Sequence, residues 1–153
     1  MRELLKRFFA YILSISIVTI IIVYILNLPE FITGETMLVK EYYYDNALYS
    51  FILDIFLVAF YISIAMFVGR LFHINQKDNS QQLLILALTT LIISGVFMIY
   101  FINGGSPETF FYRWFKKVGY KALIYDVILV CSIYIVMMII YNSNIFKRVL
   151  NIM

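Results

Sequence analysis

Charge is scarce in this sequence: 14% of its 153 residues are Asp, Glu, Lys or Arg, where soluble domains carry about 25%. The single cysteine, Cys131, excludes an intrachain disulfide and a C-x-x-C redox pair, and its expected role is that of a small packed hydrophobe. The single histidine, His73, has no Cys, His or carboxylate cluster beside it in the sequence, so it is read as a solvated loop residue rather than a zinc or haem ligand. Serines and threonines within the apolar stretches lack a G-x-S-x-G elbow or a partnering His or Lys, which gives no support to intramembrane hydrolysis. Nothing resembles a potassium-channel filter sequence. The net charge of +3 is small and scattered, whereas nucleic-acid binding calls for a clustered basic stripe. No cofactor, metal or nucleic-acid partner is therefore expected, and no enzymatic activity. Scarce Gly and Pro beside abundant Ile, Phe, Tyr, Asn and Met is the bias of A+T-rich coding DNA, which describes a genome and not a function.

What is present is apolar surface: 63% hydrophobic residues and a mean hydropathy of +0.91. A membrane crossing takes about 20 apolar residues, and the chain contains four such runs, at about 8–28, 47–69, 83–102 and 122–141. The first follows the basic flank Arg2, Lys6 and Arg7 and is too long for a signal-peptide core. It ends at Asn27-Leu28-Pro29. Residues 29–46 are acidic on balance and end in Tyr42-Tyr43-Tyr44, a cluster suited to a membrane–water interface. Asn79-Ser80 can cap the third run, which closes at the breaker Asn103-Gly104-Gly105-Ser106-Pro107.

Ser106 as N-cap, Pro107 and Glu108 then signal a short helix over about 107–119. At helical spacing Phe110, Phe111, Trp114, Phe115 and Val118 share one face and Arg113, Lys116, Lys117 and Tyr120 the other. Such a helix is expected to lie in the membrane surface, either as an anchor in lipid or as a platform for a partner protein. Gly119 can bend the chain from it into the fourth run. The expected fold is all-α: a four-helix integral membrane bundle plus this interfacial helix, forming one domain over 1–153.

Orientation follows from basic residues. Arg2, Lys6, Arg7, Arg70, Lys77, Lys147 and Arg148 make seven on the side of the termini, against Lys40, Arg113, Lys116, Lys117 and Lys121, five on the other. The positive-inside rule puts both termini in the cytoplasm.

Two of the spans carry an acid. Ile124-Tyr125-Asp126-Val127-Ile128-Leu129-Val130 echoes Ile52-Leu53-Asp54-Ile55-Phe56-Leu57-Val58, 72 positions earlier. An Asp at the centre of a spanning helix costs roughly 2.5–3.5 kcal/mol on insertion scales, so a repeated one calls for an explanation. The surrounding features recur in order: Tyr24-Ile25-Leu26-Asn27 and Pro29-Glu30 match Tyr100-Phe101-Ile102-Asn103 and Pro107-Glu108, and Ala47-Leu48 matches Ala122-Leu123. This pattern predicts two tandem hairpins related by a twofold axis along the membrane normal. It also predicts a polar ring of Asp54, Asp126, Tyr24, Asn27, Tyr100 and Asn103 on the order of 6–10 Å below the outer surface.

Such a ring can be a packing device, with Asp126 paired to Lys121 or Arg113, or a site for a proton or cation. Ala65-x-x-x-Gly69 and Thr90-x-x-x-Ser94 are small-residue spacings that suit internal helix packing. Finally, Trp114-Phe115-Lys116-Lys117-Val118-Gly119-Tyr120-Lys121-Ala122, leading into the Asp126 run, resembles stretches in uncharacterised multi-pass membrane proteins of large double-stranded DNA viruses. The resemblance implies a virion or infected-cell membrane and transfers no functional residue. The sequence-level expectation is a structural or scaffolding membrane protein, alone, as a homo-oligomer or with other membrane proteins, and the alternative is a small proton or cation channel or transporter using the two acids.

Overall fold

The computed structural model describes residues 2–74 and 78–143; Lys77, Lys147 and Arg148 of the charge count lie outside the described residues. Helix α1 (Arg2–Thr19) continues as a π-helical segment, Ile20–Ile25. Asn27 then turns left-handed, with φ 45°, and Pro29, in the first turn of the next helix, has no N–H to extend the ladder. Residues 29–46, the acidic segment, are largely helical: α2 (Leu28–Thr33), α3 (Thr36–Lys40) and a second π-helical segment, Glu41–Asp45. The long helices α4 (Ala47–Leu71), α5 (Asn79–Gly104) and α7 (Tyr120–Asn142) follow, with the short α6 (Phe110–Val118) before the last.

Four helices, Glu3–Ile25, Ala47–Leu71, Asn79–Gly104 and Tyr120–Asn142, are long and apolar enough to cross a membrane. Their outward faces carry Leu48, Phe56, Phe67, Leu84, Ile92 and Ile139, all exposed. Exposure of so many large apolar side chains is stable only where the surrounding solvent is itself apolar, and the chain is an all-α, multi-pass membrane protein in a lipid bilayer.

Each span buries one stripe. On α4 it is Ser50, Asp54, Val58, Tyr61, Ile62, Ala65 and Gly69; on α5, Gln82, Ile85, Leu86, Thr89, Thr90 and Ser94; on α7, Ala122, Tyr125, Leu129, Val130 and Ile133. These spacings of three, four, seven and eight put each set on one helix face. Both small-residue motifs fall on these inward stripes, and a Cβ on Gly69 would stand 3.4 Å from Gln82 Nε2, so the α4–α5 approach is close.

Around the bundle α1 lies along α7, α7 along α5, and α5 along α4. The remaining pair, α1 and α4, meets through side chains, as where Tyr11 Oη donates to Ile55 O at 2.5 Å. A twofold relation between tandem hairpins requires α1 to pack on α4 as α5 packs on α7. The crossed pairs, α1 with α7 and α4 with α5, match each other, whereas the pairs within each half do not.

Two helix starts differ from expectation. The N-cap of α5 is Asp78, whose carboxylate accepts from Ser80 N and Gln81 N at 3.0 and 3.2 Å; Asn79 and Ser80 form the first turn instead. Helix α6 begins at Phe110, with Thr109 as the N-cap, because residues 106–109 close a turn of their own through Thr109 N to Ser106 O, 3.0 Å. A Cβ on Gly105 would lie 2.5 Å from Phe101 O, so glycine is what lets the chain leave the end of α5 this closely.

Candidate functional site

Asp54 and Asp126 come together. Asp54 lies on the buried stripe of α4, 9% exposed; Asp126, one residue from the buried Tyr125, is half-buried on α7. Both line one cavity of about 180 Å³ at the end of the bundle where α5 ends and α7 begins. Its other walls are Tyr61 and Val58 of α4, Phe97 and Phe101 of α5, and Leu129 and Val130 of α7. Its roof is Tyr42 and Tyr43 of the second π-helical segment with Phe110, Phe111, Trp114 and Phe115 of α6. Among the described residues, no Lys, Arg or His lines it.

A carboxylate out of water is costly unless it is hydrogen-bonded or paired, and each acid here has a hydroxyl donor. Tyr42 Oη donates to Asp54 Oδ1 at 2.8 Å. Ser94 Oγ donates to Asp126 Oδ2 at 2.6 Å. Because Ser94 has one proton to give, the Tyr61 hydroxyl 3.0 Å away is the donor to Ser94, which makes a relay from Tyr61 through Ser94 to Asp126. Beside them the Tyr43 and Tyr125 hydroxyls share a hydrogen bond of 2.7 Å, with Tyr125 only 2% exposed.

The rest of the expected ring is elsewhere. Tyr24 Oη donates to Tyr43 O at 2.7 Å and its ring packs on Tyr44, 5.3 Å between centroids, so it supports the cavity's roof without reaching an acid. Asn27 Nδ2 donates to Glu30 Oε2 at 2.6 Å. Tyr100 is 64% exposed and packs edge-on against Phe101, and Asn103 is exposed. Tyr100 and Asn103 fall on the outward side of α5, since the inward stripe through Thr90 and Ser94 is offset from them. Asp126 pairs with Ser94, not with Lys121 or Arg113.

The amphipathic helix is present, but its apolar face covers the protein itself rather than sinking into lipid. Trp114, Phe115 and Val118 are buried, and Phe110 and Phe111 pack against the core. Phe110 stacks on Tyr42 at 4.7 Å and on Trp114 at 5.7 Å, while Phe101 stacks on Phe115 at 6.1 Å. Tyr42 and Tyr43, expected at an interface, are buried in this aromatic layer, and Tyr44 alone of the three stays exposed.

Ion pairs hold the roof down. Arg113 Nη1 and Nη2 donate to Glu41 Oε2 and Oε1 at 2.7 and 2.5 Å, a bidentate pair, and Lys117 Nζ lies 3.7 Å from Glu35 Oε2. The Arg113 guanidinium holds the Glu41 carboxyl below the usual carboxylate range. Lys116 turns back on Tyr112, donating to its hydroxyl at 2.8 Å. The basic face of α6 thus meets the acidic segment of residues 30–41, a pairing with no local spacing to announce it.

Among the described residues, three buried polar atoms have no hydrogen-bond partner: Ser50 Oγ, one turn before Asp54, and Thr90 Oγ1 and Gln82 Nε2, on the α5 stripe that holds Ser94. Gln82 also lines a second cavity, about 350 Å³, at the opposite end of the bundle in the cleft between α1 and α4, with Arg7, Tyr11, Met66, Tyr134 and Tyr141. Among the described residues no three His, Cys, Asp or Glu side chains gather into a metal-binding group, so the donor set of the first cavity is two carboxylates and their hydroxyls. Compared with protein-family models, with curated proteins and with solved structures, the chain finds no match. The chemistry of the cavity is therefore the basis for reading its function.

Proposed function

We propose that this membrane protein binds a proton or small cation between Asp54 and Asp126 and carries it across the bilayer. One observation carries the proposal: two carboxylates from different spans line a single internal cavity that no basic side chain enters among the described residues. Buried charges in proteins are usually paired, and here the nearby cations Arg113 and Lys117 are engaged by Glu41 and Glu35 instead of the two acids. Ser94, Thr90 and Gln82 supply polar groups along α5 from Asp126 toward the second cavity, two of them with hydrogen-bonding capacity to spare.

The excess of Lys and Arg on the side of the termini supports an orientation with the roofed cavity on the non-cytoplasmic side and the cleft between α1 and α4 on the cytoplasmic side. The scaffolding alternative draws on a different observation: both acids already have hydroxyl donors, as a packing device requires. The test is ion flux in liposomes containing the purified protein under a pH or cation gradient. Carriage predicts flux above protein-free liposomes and its loss in Asp126→Asn; a folded protein that passes neither protons nor cations supports the scaffold.

A further inference from the structure

We propose that the ligand of this cavity is a small organic ammonium ion. The inference rests on the reading of Asp54 and Asp126 as a cation site and names the class of cation. Hard divalent ions want six or more oxygen ligands, or a near-ideal octahedron rich in water. Here two carboxylates and a few hydroxyls sit in a lining that is otherwise apolar and aromatic. That lining suits a cation whose charge is spread over N–H or N–CH₃ groups, because an aromatic face attracts a weakly hydrated cation as well as excluding water. Tyr42, Phe110, Phe111 and Trp114 supply that aromatic lining opposite the acids.

Charge and shape are complementary across the space, with the acids on α4 and α7 and the stacked rings above them. Size agrees. A cavity of about 180 Å³ compares with about 30 Å³ per water in the liquid, so roughly six non-hydrogen atoms fit. Tetramethylammonium has five.

The sole tryptophan, Trp114, stands in the wall and reports on occupancy. The full chain in lipid nanodiscs is titrated with tetramethylammonium chloride, and in parallel with potassium and magnesium chloride at matched ionic strength, while tryptophan emission is excited where tyrosine does not absorb. The expected result is a saturable change with tetramethylammonium only, its midpoint raised tenfold or more in Asp54→Asn and in Asp126→Asn and several-fold in Phe110→Leu. The salt comparison needs only the wild-type protein, so the test stands even where a variant does not fold. A saturable response to potassium or magnesium equal to that of tetramethylammonium overturns the ammonium assignment and leaves the cation site. Flux in liposomes without any tetramethylammonium response does the same. Absence of both flux and every saturable response overturns the cation site itself.

Discussion

Removing one hydroxyl tests the internal logic of the cavity. In Tyr42→Phe the ring stays, and with it the 4.7 Å stack on Phe110, so the change is confined to the 2.8 Å hydrogen bond given to Asp54. Both residues are 9% exposed, which leaves little access for bulk water to replace the donor. A lost buried hydrogen bond costs about 1–3 kcal/mol, the upper part when the acceptor is charged, while polar contacts between membrane helices average about 0.6 and reach about 1.7 kcal/mol. Tyr42 sits in the roof and Asp54 in a span, so the expected cost is about 1–2 kcal/mol, between those ranges. Asp54→Leu strands the Tyr42 hydroxyl while removing a buried acid, whereas the double variant replaces both partners with apolar groups, so its change departs from the sum of the two single changes. Equilibrium unfolding in mixed detergent micelles gives the four stabilities, and the expected coupling is at least about 1 kcal/mol. A coupling within about 0.5 kcal/mol of zero, the ordinary scatter of additivity, refutes the pairing.

Three further outcomes follow from the geometry. Gly119 joins α6 to α7 at φ 60° and ψ −136°, a region essentially closed to residues with a Cβ, so Gly119→Ala is expected to cost about 1–3 kcal/mol in the same unfolding assay although open space surrounds the position. On α4 the new Cβ of Gly69→Ala meets Gln82 at 3.4 Å, an ordinary contact, and is tolerated; Gly69→Leu forces α4 from α5 and destabilises by about 1–3 kcal/mol. Because Arg113 lowers the Glu41 pKa in the folded protein, that pair stabilises the roof above the ordinary carboxylate range and ceases to do so as pH falls through the lowered value. Protection of the α6 amides against hydrogen exchange, taken relative to the intrinsic rate at each pH, should therefore fall at acid pH and in high salt, on a scale of about 0.2–1 kcal/mol for so exposed a pair, with the pH effect absent in Glu41→Gln.

The spans were legible because membrane burial is written in composition and length: about 20 apolar residues admit few alternatives, and the ends of 47–69 and 83–102 shift only by a few residues to Ala47–Leu71 and Asn79–Gly104. Two buried acids in apolar runs were equally plain. Their surroundings were not. Tyr42 and Tyr43 reach the cavity because residues 41–45 wind as a π-helix, for which the sequence has no period. Ser94 was visible as one end of a small-residue spacing, but its proton could be assigned to Asp126 only once α5 and α7 were side by side. Tyr100 and Asn103 were placed by analogy with Tyr24 and Asn27, and the rotation of α5 that turns them outward is set by packing. The apolar face of α6 is visible in the spacing, but that it packs on the bundle is not, since periodicity does not distinguish lipid from a bundle's own core.

The central claim is that Asp54 and Asp126 form one site. Ion flux in liposomes carrying Asp54→Asn, Asp126→Asn or both tests it most directly, with folding of each protein checked by its unfolding transition. One shared site predicts that either single variant falls to the level of protein-free liposomes and that the double variant falls no further. Substantial flux surviving in one folded single variant, with the remainder lost only in the double, would contradict it.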